Sequence, residues 1–248
     1  MEKIACITGA SSGIGRETAL VLAENGYKLI LCGRRKDRLE SLQKEISVDS
    51  TILIFDVRDL GQVQSSFASL SEDWKNIDVL INNAGNAHGL SPIQDGDVAD
   101  WDAMMHGNVN GLLYVSKSVI PFMIARKQGH IINISSIAGK QIYANGAVYC
   151  ASKAAVEVLS QGMRIDLNPF GIKVSNLAPG AVNTEFSAVR FKGDADKADA
   201  VYKGFEPLVA KDVAEVLRFM VMAPAHVNLS DVTLLPTAQA SANLINRI

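Results

Sequence analysis

Short apolar runs recur along this chain at 4–8, 28–32, 51–55, 77–81, 130–134, 172–177 and 231–235. Amphipathic stretches separate them at 14–25, 36–46, 60–73, 97–125, 148–167 and 211–223. A run of five or six apolar residues without polar alternation is a strand buried on both faces. Strands joined by helices run parallel, because each right-handed crossover returns the chain to the same end of the sheet. The expectation is a single α/β domain over 1–248, a doubly wound Rossmann-type fold around a seven-stranded parallel sheet. No internal repeat or linker interrupts it. Only 183–207 breaks the alternation: a charged excursion around Phe186, Phe191 and Phe205, following Pro179-Gly180. A long segment of that kind between two core strands reads as a lid over a site.

Composition narrows the function classes. With 24 Lys+Arg against 26 Asp+Glu, there is no basic stripe to hold nucleic acid or an anionic membrane. The chain opens Met-Glu-Lys and runs straight into its first strand, with no signal peptide and no apolar run of membrane length. Cys6, Cys32 and Cys150 are odd in number and lack C-x-x-C spacing, so they read as packed thiols in a reduced cytoplasm, with no metal site.

Two motifs carry chemistry. After the first strand comes Thr8-Gly9-Ala-Ser-Ser-Gly13-Ile-Gly15, and then a helical pattern. Glycines allow a tight turn, and the helix N-terminus offers free N–H groups and a positive dipole end to phosphates. The second motif is Tyr149 and Lys153 in Val148-Tyr-Cys-Ala-Ser-Lys153. Four residues apart on a helix, they share a face. A neighbouring ammonium favours phenolate and lowers the phenol's pKa, which suits a general acid/base. Cys150 points about 100° away and reads as packing.

Gly9-x-x-x-Gly13-Ile-Gly15, Asn82-Asn-Ala-Gly85, Asn108, Ser136 and Tyr149-x-x-x-Lys153 together resemble the short-chain dehydrogenase/reductase family, over essentially the whole chain. Gly33-Arg-Arg35, Phe55-Asp-Val57, the stretch from Glu185 to Asp194 and Pro224-Ala-His-Val-Asn228 are similar to its NADP-dependent 3-hydroxy acid dehydrogenases. The resemblance implies catalysis by Asn108, Ser136, Tyr149 and Lys153. Tyr149 would exchange the substrate proton, and Lys153 would lower its pKa and hold the ribose. Ser136 would orient the substrate oxygen, with Ser135 as competitor. Asn108 would hold a water near Lys153 from a locally bent helix, with Asn110 as competitor.

The resemblance also implies a cofactor path. It runs over Gly9, Ser11, Ser12, Gly13, Ile14 and Gly15, then Asp56 and Val57 at the adenine, then Asn83, Ala84 and Gly85 along the ribose. Tyr149 and Lys153 lie on it too, as do Pro179, Gly180, Val182 and Thr184. Asn82 would bond between strands instead. The residue type after the second strand selects the cofactor. An acidic side chain there takes the ribose of NAD, whereas Gly33 followed by Arg34 and Arg35 offers guanidinium to a 2′-phosphate. The expected cofactor is therefore NADP, with Arg34 the stronger candidate of the two. A 3-hydroxy acid also needs a cation for its carboxylate, and Arg190 and Lys192 in the lid are available. Arg190 is the candidate substrate residue beside Ser136 and Tyr149. Helices 97–125 and 148–167 resemble those that assemble family homotetramers. Competing readings are a reductase for a different ketone or aldehyde, and a catalytically silent NADP-binding redox sensor.

Overall fold

The computed structural model describes residues 2–248. Its strands are β1 (Ile4–Thr8), β2 (Lys28–Gly33), β3 (Ser50–Ile54), β4 (Ile77–Asn82), β5 (Gly129–Ile134), β6 (Ile172–Pro179), β7 (Val182–Asn183), β8 (Leu208–Val209) and β9 (Asp231–Leu234). Seven form one sheet in the order β3-β2-β1-β4-β5-β6-β9, with every neighbouring pair parallel. The chain winds one way from β1 through β2 to β3, then the other way from β4. That reversal opens a crevice beyond the carboxyl ends of β1 and β4, where such sheets take ligands.

The helices are α1 (Gly13–Glu24), α2 (Lys36–Glu45), α3 (Leu60–Ala68), α4 (Val98–Met105), α5 (Gly111–Arg126), α6 (Ala147–Leu167), α7 (Glu185–Arg190), α8 (Ala195–Ala200) and α9 (Ala210–Met222). Strand alternation divides the core between the two faces of the sheet. Ile7, Leu31 and Ile81 pack with Leu22, Leu39 and Leu217 from α1, α2 and α9. Cys6, Ile30 and Leu80 pack with Val63, Val115 and Leu167 from α3, α5 and α6.

One expectation needs correction. The helix expected over 60–73 ends at Ala68, and a single 3-10 turn, Glu72–Lys75, follows. The stretch 97–125 is helical, and the local bend expected at Asn108 is a π turn, His106–Asn110, between α4 and α5. The charged excursion holds two short helices, α7 and α8. Thr184 Oγ1 caps α7 by accepting from the Phe186 N–H, and Asp194 caps α8 by accepting from the Lys197 N–H. β7 and β8 pair in parallel across the base of the excursion.

The buried polar groups include a histidine with a predictable acid response. His130 on β5 donates from Nε2 to Ser175 Oγ at 2.8 Å, because that hydroxyl donates onward to Asn228. Its Nδ1 is buried without a partner. Burial, with Lys173 adding to it, lowers the imidazole from its ordinary 6.5 to about 3. The folded state therefore holds a neutral ring while the unfolded chain takes a proton between those values. Stability is fully present above pH 6.5 and falls as pH drops toward 3. The loss should be on the order of a few kcal/mol. His130→Asn should flatten the fall in urea midpoint between pH 7 and pH 4; an unchanged acid slope would assign that loss to other groups.

Candidate active site

The crevice is a cleft of about 510 Å³. It lies within the roughly 300–1,000 Å³ range of small-molecule sites. At its floor the chain turns from β1 into α1 through Gly9, which has φ +68°. A side chain at Gly15 would come 2.4 Å from the Gly9 carbonyl oxygen, so only glycine lets helix and loop close up. Ser12 does not cap α1 with its side chain, and no acidic residue sits in the first turn. The N–H groups and dipole of that end are left for an anion. Thr8 Oγ1 accepts from the N–H groups of Asn83 and Ala84, both at 3.0 Å, which binds the Asn82–Gly85 turn to the glycine loop. Asn82 faces away. It donates to Asn133 of β5 and to Ser116 of α5, both at 2.9 Å.

The far end of the cleft is rich in arginine. Arg34 leaves 67% of its side chain exposed and reaches Asp56 only at 3.5 Å. Burial would raise the Asp56 carboxyl, but Arg58 and Arg34 outweigh it and hold the group below its ordinary value. Arg35 is fully engaged by comparison. It donates to Ser11 at 3.1 and 3.0 Å, to Ser12 at 2.6 Å, and to Glu185 of α7 at 3.0 Å.

Tyr149 and Lys153 lie side by side on α6, both buried. Lys153 Nζ donates to the Ile134 carbonyl at 3.0 Å, and burial lowers its pKa from 10.5 to about 8. The expected depression of the Tyr149 phenol by Lys153 is not what the protein chain produces. Burial pushes the phenol above its ordinary 10, and neighbouring Tyr143 pushes the same way. Ser136, by hydrogen bonding, and Arg190, by charge, pull it down without overcoming burial. Helical spacing shows adjacency but carries no measure of desolvation, which dominates here.

Ser136 ends the β5 run and lines the cleft with its Oγ 3.4 Å from the Pro179 carbonyl oxygen. Ser135 Oγ donates into a carboxylate of Glu157, which also pairs with Lys140. The alternation of the strand thus sends Ser135 into a structural network and leaves Ser136 at the site. Asn108 sits in the π turn, donating to the Asn86 carbonyl and to Ser152 Oγ at 2.9 Å and accepting from the Asn86 N–H at 2.7 Å. Half-buried Asn110 makes none of these bonds. A side chain added at Gly85 would lie 2.9 Å from Asn108 Oδ1 and 3.3 Å from Lys153 Nζ, so these groups converge on one bare stretch of backbone.

The two cations of the excursion separate. Lys192 pairs with Asp100 at 3.0 Å and Asp97 at 3.7 Å, outside the cleft. Arg190 enters it, 5.5 Å from the centroids of both Tyr149 and Tyr143. Its Nε donates to the Gly89 carbonyl at 3.1 Å and its Nη1 to the Tyr143 hydroxyl at 3.0 Å. Its Nη2 has no hydrogen-bond partner among the described residues. Tyr143 and Gln239 escaped the sequence reading, and Phe186 was read only as part of the excursion. Phe186 packs 5.8 Å from the Tyr149 ring, and Gln239 Oε1 accepts from the Ala181 N–H at 2.8 Å. Tyr143 lies in an irregular turn. Its one signal is Gly146, where a side chain would strike the Tyr143 ring at 2.1 Å.

Lys153→Met tests the burial argument. At pH 7 the native lysine is charged in both states, so its desolvation penalty is fully present; it fades between pH 8 and 10.5. The variant should melt higher at pH 7, by about 2–4 °C for each kcal/mol relieved. That gain should vanish near pH 10.5. An equal shift at both values would deny that charge causes it.

Known proteins resemble this chain over nearly its whole length. Residues 3–195 match the family model described as short chain dehydrogenase. The NADP-dependent 3-hydroxy acid dehydrogenase YdfG of Salmonella typhi is 42% identical over 242 residues, covering 97% of this chain and 98% of that one. Sulfoacetaldehyde reductase 2 of Chromohalobacter salexigens is 42% identical over 251 aligned positions, covering 100% of both. A closed form of serine dehydrogenase complexed with NADP+ superposes with a TM-score of 0.94 at 41% identity, covering 97% of this chain and 98% of that chain.

Proposed function

The chain belongs to the short-chain dehydrogenase/reductase family, and on that premise we propose that it is an NADP-dependent oxidoreductase acting on the CH–OH group of a small 3-hydroxy acid, or on the matching semialdehyde. L-Serine, L-allo-threonine and 3-hydroxypropionate define the substrate class. One observation carries the reading: a half-buried guanidinium, Arg190, stands beside the Tyr149 phenol with one edge free. A carboxylate on that edge would bring a 3-hydroxyl toward Tyr149 and Ser136.

The cleft suits the cofactor. The glycine loop and bare α1 N-terminus fit a pyrophosphate, and Arg34 and Arg35 fit a 2′-phosphate. Asp56 and Val57 line the adenine end, with Asn83, Ala84 and Gly85 along the ribose. Thr184 stands 3.4 Å from a side chain added at Gly13, and Pro179, Gly180 and Val182 form the opposite wall. When bound, the nicotinamide supplies or accepts the hydride. The protein aligns and exchanges the proton. Ser136 holds the substrate oxygen against Tyr149. Tyr149, protonated at neutral pH because it is buried, donates to a carbonyl oxygen in reduction and takes the proton back in oxidation. Lys153 holds the ribose, and Asn108 keeps a proton path open beside it.

The same reading makes the protein a cytoplasmic homotetramer. Three free cysteines support a reducing compartment. Exposed Leu113 on α5 and Val158 and Ile165 on α6 support helix-to-helix assembly. Among the described residues, no helix is long and apolar enough to cross a membrane. A steady-state screen tests the assignment, pairing L-serine, L-allo-threonine, 3-hydroxypropionate and 2-hydroxyethanesulfonate with NADP+ and NAD+. The sulfonate is included because the Chromohalobacter relative matches the whole chain and guanidinium binds either anion. Turnover of a hydroxy acid with NADP+ is expected; turnover of uncharged alcohols alone would overturn the substrate class.

A further inference from the structure

Glu185 is the first residue of α7, five positions before Arg190 on the same helix. Its carboxylate leaves the lid and reaches across the cleft to α2. Arg38 donates to it at 2.6 and 2.9 Å, and Arg35 at 3.0 Å. Arg35 also grips Ser11 and Ser12 of the glycine loop, so one guanidinium joins the lid, the phosphate loop and the start of α2. Arg35, with Arg34, is where the cofactor's 2′-phosphate is read above, and Arg38 follows it three residues on in α2. The other carboxylate nearby, Asp56, already answers to Arg58 and Arg34. Glu185 is therefore an anion standing where a second anion has to bind.

We propose that Glu185 sets the strength of 2′-phosphate recognition: its carboxylate shares Arg35 and Arg38 with the phosphate, lowers affinity for NADP, and ties cofactor binding to the position of the lid. This rests on the NADP reading above. A phosphate dianion close to both arginines repels Glu185 and competes for their donors. Exposed pairs of this kind contribute little to stability, so two of them can be exchanged without unfolding anything. Coupling is reciprocal. If Glu185 weakens phosphate binding, the phosphate weakens the hold of Glu185, and with it the anchorage of the helix that carries Arg190. The carboxylate then trades tight cofactor binding for release and for a lid that responds to the cofactor's 2′ position.

Glu185→Gln keeps the shape and removes the charge at an exposed site. Calorimetric titration with adenosine 2′,5′-bisphosphate and with AMP isolates the phosphate from the rest of the cofactor. The variant should bind the bisphosphate about three- to tenfold more tightly, the range that two exposed pairs allow. Its affinity for AMP should stay within about twofold, because AMP lacks the group that meets Arg35 and Arg38. Hydrogen exchange over 185–190 should quicken when wild type binds the bisphosphate, and should not respond in the variant. Equal or weaker bisphosphate binding by the variant would overturn the proposal, as would a parallel gain for AMP. A wild type that binds AMP and the bisphosphate equally would sink the NADP reading itself, a result distinct from failure at Glu185.

Discussion

Tyr149→Phe is expected to lose about 10²–10⁴ of kcat in both directions, the range a positioned general acid/base contributes. The affinity for NADP+ should stay within about twofold, because the ring and its packing against Phe186 remain. The environment of the phenol adds a directional expectation. Burial holds Tyr149 above its ordinary value, so at pH 7 it carries the proton that reduction needs. Oxidation needs the phenolate and should accelerate as pH rises toward the phenol's pKa. Reduction should be flat through neutrality and fall on the alkaline side. Parallel pH profiles of kcat/KM for wild type and Tyr149→Phe check this. A variant that keeps more than about a tenth of the activity would take Tyr149 out of the proton-transfer role.

The legibility of this molecule in its sequence follows physical periodicity. The seven core strands could be read because strands buried on both faces leave uninterrupted apolar runs. The choice between Ser135 and Ser136 was also legible in kind, since successive strand residues face opposite sides. The excursion was legible as an interruption but not as two helices. α7 and α8 are six residues each, and what marks them is the N-caps that start them, Thr184 and Asp194, rather than any repeating pattern. Tyr143 and Gln239 sit in turns whose shape is set by contacts distant in the chain, and apart from Gly146 beside Tyr143 no local signal points to them. The behaviour of the Tyr149–Lys153 pair was hardest to foresee. Spacing showed that the two groups adjoin. How far burial outweighs a neighbouring cation depends on everything packed around them, and that is a property of the fold.

Arg190→Met should lower kcat/KM for L-serine or 3-hydroxypropionate by one to two decades, while a neutral aldehyde of similar size loses little. A hydrogen bond to a charged group contributes about 1.5–3 kcal/mol, which is that factor when the loss appears in kcat/KM. Methionine keeps much of the stem and deletes the guanidinium. The Tyr143 hydroxyl and the Gly89 carbonyl lose their donor; Tyr143 lines the cleft, and half-buried Gly89 lines a smaller hollow beside Arg190. A second effect should accompany the first. Arg190 is the cation that pulls the Tyr149 phenol down, so its removal leaves burial less opposed and raises the phenol further. The alkaline rise of the oxidation rate should therefore move to higher pH for every substrate, charged or neutral. The two effects separate the roles of one residue. Loss confined to anionic substrates reports recognition of the anion, and a shift of the pH limb shared by all substrates reports the electrostatic hold on Tyr149. Equal losses for acids and neutral aldehydes, with the pH limb unmoved, would leave Arg190 only a strut that fixes α7 to the Gly89 turn.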